Sequence, residues 1–133
     1  MNQHEVPVIN GELKPLIDLL LTLRADGKIL VAILYGSYAN GNPHPRSDID
    51  LALYLGTKDE NEAIEVIDEI LMSVERDVSI LRLDDTDESP FIVQEALRGI
   101  HLVEPDKDTL YAVMHHALHE SESIRYRRNL HVG

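Results

Sequence analysis

The chain contains hydrophobic runs whose spacing alternates between that of strands and that of helices. Residues 29–35 (ILVAILY) are continuously apolar and rich in branched side chains, which is typical of a buried central strand. Residues 48–55 alternate instead, and this period of two predicts a strand with two different faces. One face carries Ile49, Leu51, Leu53 and Leu55, and the other carries Asp48, Asp50, Ala52 and Tyr54. A third strand is predicted over 77–83 and a short fourth one over 101–103.

Four segments with helical spacing flank these strands. Residues 12–25 predict the first helix, with Leu13, Leu16, Ile17, Leu20 and Leu23 on one side. Thr57 and Glu60 have the spacing of a capping box, and the helix after them has a longer apolar side. That side comprises Ala63, Ile64, Ile67, Ile70, Leu71 and Val74. Ser89 and Pro90 predict the start of a short third helix.

The last helix is predicted over about 106–129, with one apolar face of Leu110, Val113, Met114, Ala117 and Leu118. A loop joins the first two strands, whereas a helix joins the second to the third. We therefore expect a single α+β domain over residues 1–133, in which a small mixed β-sheet is backed by helices.

Composition narrows the kinds of site that the chain can hold. It has 133 residues and no cysteine, which excludes disulfides, thiolate metal sites and a cysteine nucleophile. Its N-terminus lacks the pattern of a signal peptide, and its longest apolar stretch is too short to span a membrane. We expect a cytoplasmic protein without a membrane segment.

Charge bears on the partners of the chain. Twelve basic and 24 acidic residues give a formal net charge of −12, which repels a phosphate backbone and argues against nucleic acid. The acidity is explained equally by solubility or by a basic protein partner.

The Asp48-x-Asp50 pair is the main candidate for chemistry. A strand directs both carboxylates to the same side, about 7 Å apart. Ionised carboxylates repel one another, and a hard divalent cation such as Mg²⁺ would relieve that repulsion. Taken alone, however, Asp-x-Asp is better explained by a solvated strand face.

Three further features favour a site. Gly36 and Ser37 form a turn after the buried strand, where a close backbone N–H and a hydroxyl are suited to a phosphate. Ten residues separate this turn from Asp48, so the loop could return the acids beside it. Asp77 opens the third strand and adds a carboxylate if that strand lies beside the second; otherwise it is a strand-end charge.

The segment GSYANGNPHPRSDIDLAL resembles the signature of the DNA polymerase β-type nucleotidyltransferase superfamily: Gly-Ser, ten residues, Asp-x-Asp and an apolar strand. With its small size, the chain is similar to the minimal nucleotidyltransferases (MNT proteins), including the MntA antitoxins of HEPN/MNT toxin–antitoxin pairs. The resemblance implies a polymerase β-like fold and transfer of AMP from ATP to a tyrosine hydroxyl of a partner HEPN toxin. It also implies two Mg²⁺ ions on Asp48, Asp50 and Asp77, with donor phosphates held by Gly36 and Ser37.

Because larger relatives carry an added domain that presents the acceptor, we expect a partner to present it here. Two alternatives stay open: an antitoxin that acts by binding alone, and a nucleotidyltransferase acting on a small-molecule or RNA hydroxyl. Arg46 is within reach of a donor phosphate, although a solvated loop charge explains it equally well. His115 and His119 stand one helical turn apart, and a solvated helix face explains them better than a metal site.

Overall fold

The computed structural model describes residues 10–36, 39 and 48–132, with side chains described as far as 125. Its helices are α1 (Asn10–Ala25), α2 (Glu60–Leu71), α3 (Pro90–Leu97) and α4 (Lys107–Val132). Its strands are β1 (Ile29–Tyr35), β2 (Ile49–Leu55), β3 (Val78–Arg82) and β4 (Ile100–His101). Every predicted element is present, and most bounds differ from the predicted ones by one or two residues.

The strands form one mixed sheet in the order β3-β2-β1-β4. β1 is antiparallel to both β2 and β4. β2 and β3 are parallel, since α2 crosses between them. The sheet is small, mixed and backed by helices, which confirms the predicted α+β class.

Each face of the sheet is covered by a hydrophobic core. α1 and α2 pack on the face formed by the odd-numbered apolar residues of β2, such as the fully buried Leu51. α3 and α4 pack on the opposite face, where Ala52 is also fully buried. The face that carries Asp48 and Asp50 is therefore solvated only at the beginning of β2, because helices cover the rest of it.

The prediction for the start of α2 is wrong in detail. Asp59, not Thr57, caps the helix, and its side chain accepts a hydrogen bond of 3.0 Å from the Asn61 N–H. The Thr57 hydroxyl instead accepts from the Asp59 N–H, so it orders the residue before the helix. Aspartate is at least as favourable as threonine at the N-cap of a helix, so the helix begins after Asp59.

Two apolar faces are also narrower than predicted. Ile64 and Leu71 on α2 are 50% and 38% exposed, and Val74 lies beyond the end of that helix. On α4, Met114 and Leu118 are 45% and 52% exposed. Both helices bury a narrower stripe than their apolar residues could cover, because each packs on the sheet from one side only.

The buried side of α4 includes a polar contact with α3. Ser121 is fully buried, and its hydroxyl accepts a 2.8 Å hydrogen bond from the Gln94 side chain. The same amide donates to the Ala117 carbonyl at 3.1 Å. This pairing satisfies the buried hydroxyl and fixes α3 against α4. Within the part of the chain described, no helix is long and apolar enough to cross a membrane.

Candidate active site

The candidate site lies where β1 ends and where β2 and β3 begin. Tyr35, the last residue of β1, pairs directly with Asp50 of β2. On the other side of β2, Asp50 pairs with Ser79, and the Ile49 N–H donates to the Asp77 carbonyl at 2.9 Å. The backbone of Asp77 therefore lies next to the start of β2.

Gly36 brings the turn after β1 into contact with this acid pair. Its φ is +78°, a left-handed conformation that favours glycine. A Cβ atom placed there would lie 2.3 Å from Oδ2 of Asp50, closer than real Cβ atoms approach. The backbone of Gly36 therefore packs directly against the Asp50 carboxylate, and a side chain at this position would displace it.

The carboxylates at this end of the sheet disturb one another. Partial burial, reinforced by the charges of Asp48 and Glu95, raises the pKa of Asp50 above its usual value. Burial also raises the pKa of Tyr35, with contributions from Asp50, Glu95 and Glu88. Within the described residues, negative charges are therefore crowded at this end of the sheet.

Sequence reasoning missed three of these neighbours. Tyr35 could have been found, because it precedes the glycine turn and the period of β1 places it on the face shared with Asp50. Glu88 and Glu95 lie just before and within α3 and have no motif of their own. Their proximity depends on how α3 packs on β1, which spacing along the chain does not reveal.

The donor set suits a hard cation in its chemistry. Carboxylate oxygens are the ligands that Mg²⁺ prefers. Asp50 lies in β2, and Asp48 and Asp77 directly precede the adjacent strands β2 and β3. A cation beside Asp50 would offset the repulsion that raises its pKa. Among the described residues, no three acidic or histidine side chains are already arranged to hold a metal, His115 and His119 included.

Not every predicted site residue falls within the described residues. Asp48 and Asp77 are exposed, Asp50 is half-buried, and Gly36 closes the site on the side of β1. Ser37 and Arg46 lie outside the described residues, so their predicted contacts with donor phosphates stay predictions.

Comparison with known proteins identifies the family. The model of the family described as "Polymerase beta, Nucleotidyltransferase" matches residues 18–108, which run from α1 to the start of α4 and include all four strands. The chain belongs to the polymerase β nucleotidyltransferase family. A search of curated protein sequences found no significant match.

Solved structures share the fold of this nucleotidyltransferase. A toxin–antitoxin structure with AMP-PNP has a TM-score of 0.65 at 21% identity, over 87% of this chain and 94% of that chain. An MntA–HepT toxin–antitoxin structure has a TM-score of 0.60 at 16% identity, over 90% and 95% of the two chains. The structure of a tri-AMPylated Shewanella oneidensis HEPN toxin in complex with MNT antitoxin has a TM-score of 0.60 at 17% identity, over 90% of this chain and 94% of that chain. At these identities the likeness establishes the polymerase β-like fold of the nucleotidyltransferase.

Proposed function

We propose that this nucleotidyltransferase transfers AMP from ATP to a tyrosine hydroxyl of a partner HEPN toxin in the cytoplasm, and so acts as an antitoxin. Membership of the polymerase β family supports nucleotidyl transfer as the reaction. The names of two structural neighbours, one with AMP-PNP and one with a tri-AMPylated HEPN toxin, support the donor and the acceptor.

The contact between Gly36 and Asp50 carries the proposal. A glycine with positive φ, pressed against a carboxylate at the open end of a buried sheet, places a backbone turn and an acid pair within one small volume. Nucleotidyl transfer needs this combination, because phosphates must be held next to groups that bind cations. A solvated strand face would need no such approach.

Asp48 and Asp50, joined by Asp77, would hold two Mg²⁺ ions. When bound, such ions neutralise charge on the attacking oxygen and on the leaving pyrophosphate. The tyrosine oxygen forms a bond to the α-phosphorus while the bond from that phosphorus to pyrophosphate breaks. Asp77, which is exposed, accepts or orients the phenolic proton. Gly36, with Ser37, holds the donor's β and γ phosphates.

The test is a double substitution, Asp48→Asn with Asp50→Asn. The partner is the product of a neighbouring reading frame with an Arg-x(4–6)-His motif, incubated with ATP and Mg²⁺ and measured by intact mass. We expect AMP additions with the wild-type chain and none with the variant. Asp26→Asn with Asp68→Asn removes the same charge from exposed positions of the described chain and should leave transfer unchanged.

The same experiment distinguishes binding from catalysis. If the double variant still neutralises the partner as an intact complex without added mass, the chain acts by contact alone and the proposed reaction is wrong. Transfer of AMP to a small-molecule or RNA hydroxyl, with the partner protein left unmodified, would equally contradict it.

A further inference from the structure

A groove separate from the aspartate pair lies between α3, α4 and the far end of β2. It encloses about 270 Å³, and the loop after β3 closes one side of it. This is slightly less than the roughly 300–1,000 Å³ of clefts that hold drug-sized ligands, so its size suits a single side chain. We infer that this groove, here called the α3–α4 groove, binds an arginine side chain of the acceptor protein.

The floor of the α3–α4 groove is apolar. Val93 of α3 and Val113 and Ala117 of α4 line it, and all three are buried. Tyr54 of β2 lines it as well, and its side chain is half-buried. An aliphatic stem would lie against the valines, and a planar guanidinium has an aromatic ring available for stacking.

The rim of the groove is mostly acidic, with His116 beside the acidic residues. Asp85, Glu88 and Glu120 line it, and within the described residues no ion pair joins any of the three to a cation. Asp84 also lines the groove, but Arg82 already pairs with it at 2.8 Å. Three carboxylates around an apolar floor complement a long cationic side chain.

Arginine fits this combination better than lysine does. Its guanidinium offers five donors in a planar fork, which can contact several carboxylates at once. It is also less strongly hydrated than an ammonium group, so placing it over an apolar floor costs less. The strong excess of acidic residues in the whole chain points in the same direction.

The groove lies on the same face of the sheet as the site. Tyr54 is four residues beyond Asp50 on β2, about 13 Å along the strand. Glu88 lines the groove and also contributes to the raised pKa of Tyr35, which pairs with Asp50. An arginine held in the groove would anchor a protein whose hydroxyl reaches the aspartate pair. Assigning the arginine to the acceptor rests on the proposed function.

The test uses an acetyl-Gly-Arg-Gly-amide peptide, with its lysine and citrulline counterparts, in buffer without ATP or divalent cations. Binding is followed by NMR through the backbone amides of Ala112, Val113 and Ala117. We expect millimolar binding of the arginine peptide, weaker binding of the lysine peptide and none of the citrulline peptide. Asp85→Asn with Glu120→Gln should weaken arginine binding by roughly tenfold.

The matched control is Glu65→Gln with Glu69→Gln, which removes two charges from exposed positions of α2 on the other face of the sheet. It should leave peptide binding unchanged, and both variants should keep the wild-type melting temperature. The inference is overturned if the wild-type chain binds no arginine peptide, if citrulline or lysine binds equally well, or if the control weakens binding as much.

Failure of the inference is distinguishable from failure of the proposed function. The Asp48→Asn, Asp50→Asn variant loses AMP transfer under the proposed function but keeps the groove, so it should bind the arginine peptide like the wild type. If this variant loses AMP transfer and still binds the arginine peptide, the result supports both the proposed function and the inference about the groove. If the Asp85→Asn, Glu120→Gln variant transfers AMP with the wild-type KM for the partner, the groove does not bind the acceptor protein and the inference is wrong.

Discussion

Substituting Gly36 by alanine tests the geometry on which the proposed site depends. The new Cβ would lie 2.3 Å from Oδ2 of Asp50, and ordinary contact begins at 3.4 Å, so the carboxylate must retreat by about 1 Å. The alanine must also adopt a φ near +78°. The substitution therefore combines backbone strain with displacement of an acid.

Backbone strain and displacement of the carboxylate affect different measured quantities. A left-handed conformation costs a residue other than glycine about 1–2 kcal/mol of stability. Displacing a group by about 1 Å in an active site can lower the rate by roughly 100-fold. Gly36→Ala should therefore lower the unfolding free energy by about 1–2 kcal/mol through backbone strain, and by a further amount through the clash. It should also abolish nearly all transferase activity.

Gly27→Ala isolates the strain. Gly27 has a φ of +76°, but a Cβ there would meet nothing within 4 Å. Urea unfolding of both variants gives the strain from Gly27→Ala and the added clash from the difference. In an Asp50→Ala background, Gly36→Ala should cost about as much as Gly27→Ala, because the clashing oxygen is gone and only the Cβ of residue 50, at 3.3 Å, stays close.

Activity completes the test. AMP transfer should survive Gly27→Ala and be lost in Gly36→Ala. If Gly36→Ala costs no more stability than Gly27→Ala and keeps wild-type transfer, the close contact with Asp50 does not exist in solution, and the reasoning about the site is refuted.

Three further predictions concern the effect of single substitutions on stability. The raised pKa of Asp50 means that its ionisation opposes folding. The stability that this group contributes is fully present below its unfolded pKa and is lost as pH rises through the folded pKa, so Asp50→Asn should stabilise the metal-free chain at pH 7 in urea unfolding. Hydrogen bonds from Thr109 lower the pKa of Asp106, so the ionised carboxylate contributes stability at neutral pH that is lost as pH falls through the folded pKa. Asp106→Ala should abolish this contribution, which is measured from melting temperatures across a range of pH. Gly99→Ala would set a Cβ 2.2 Å from the Leu34 carbonyl, and should cost about 1–3 kcal/mol in urea unfolding by pushing α3 from β1. Unchanged unfolding curves would contradict each of these expectations.

The strands were predictable because their patterns are strong and local. The bounds of β1 match the prediction, since a continuous apolar run between glycines leaves little choice. The alternation of β2 assigned Ile49, Leu51, Leu53 and Leu55 to one buried face correctly. The order β3-β2-β1-β4 did not follow from pattern, because strand neighbours are chosen by the packing of the whole sheet.

Helix surroundings were less predictable. Met114 and Leu118 have the spacing of core residues, yet α4 turns them outward because α3 and the sheet occupy only one side of it. Glu88 and Glu95 escaped notice for a related reason: only the docking of α3 brings their charges near Asp50 and Tyr35. Neither arrangement is recorded in local spacing.

β2 lies inside the sheet, with hydrogen-bonded partners on both sides. Amide protons of an inner strand exchange with solvent only when much of the domain opens, so those near Asp50 should exchange at the rate of global unfolding. Asp50 is therefore held by a strand that opens only together with much of the domain. Substitutions elsewhere that weaken the fold should shorten the lifetime of the assembled site without altering its geometry while the chain is folded.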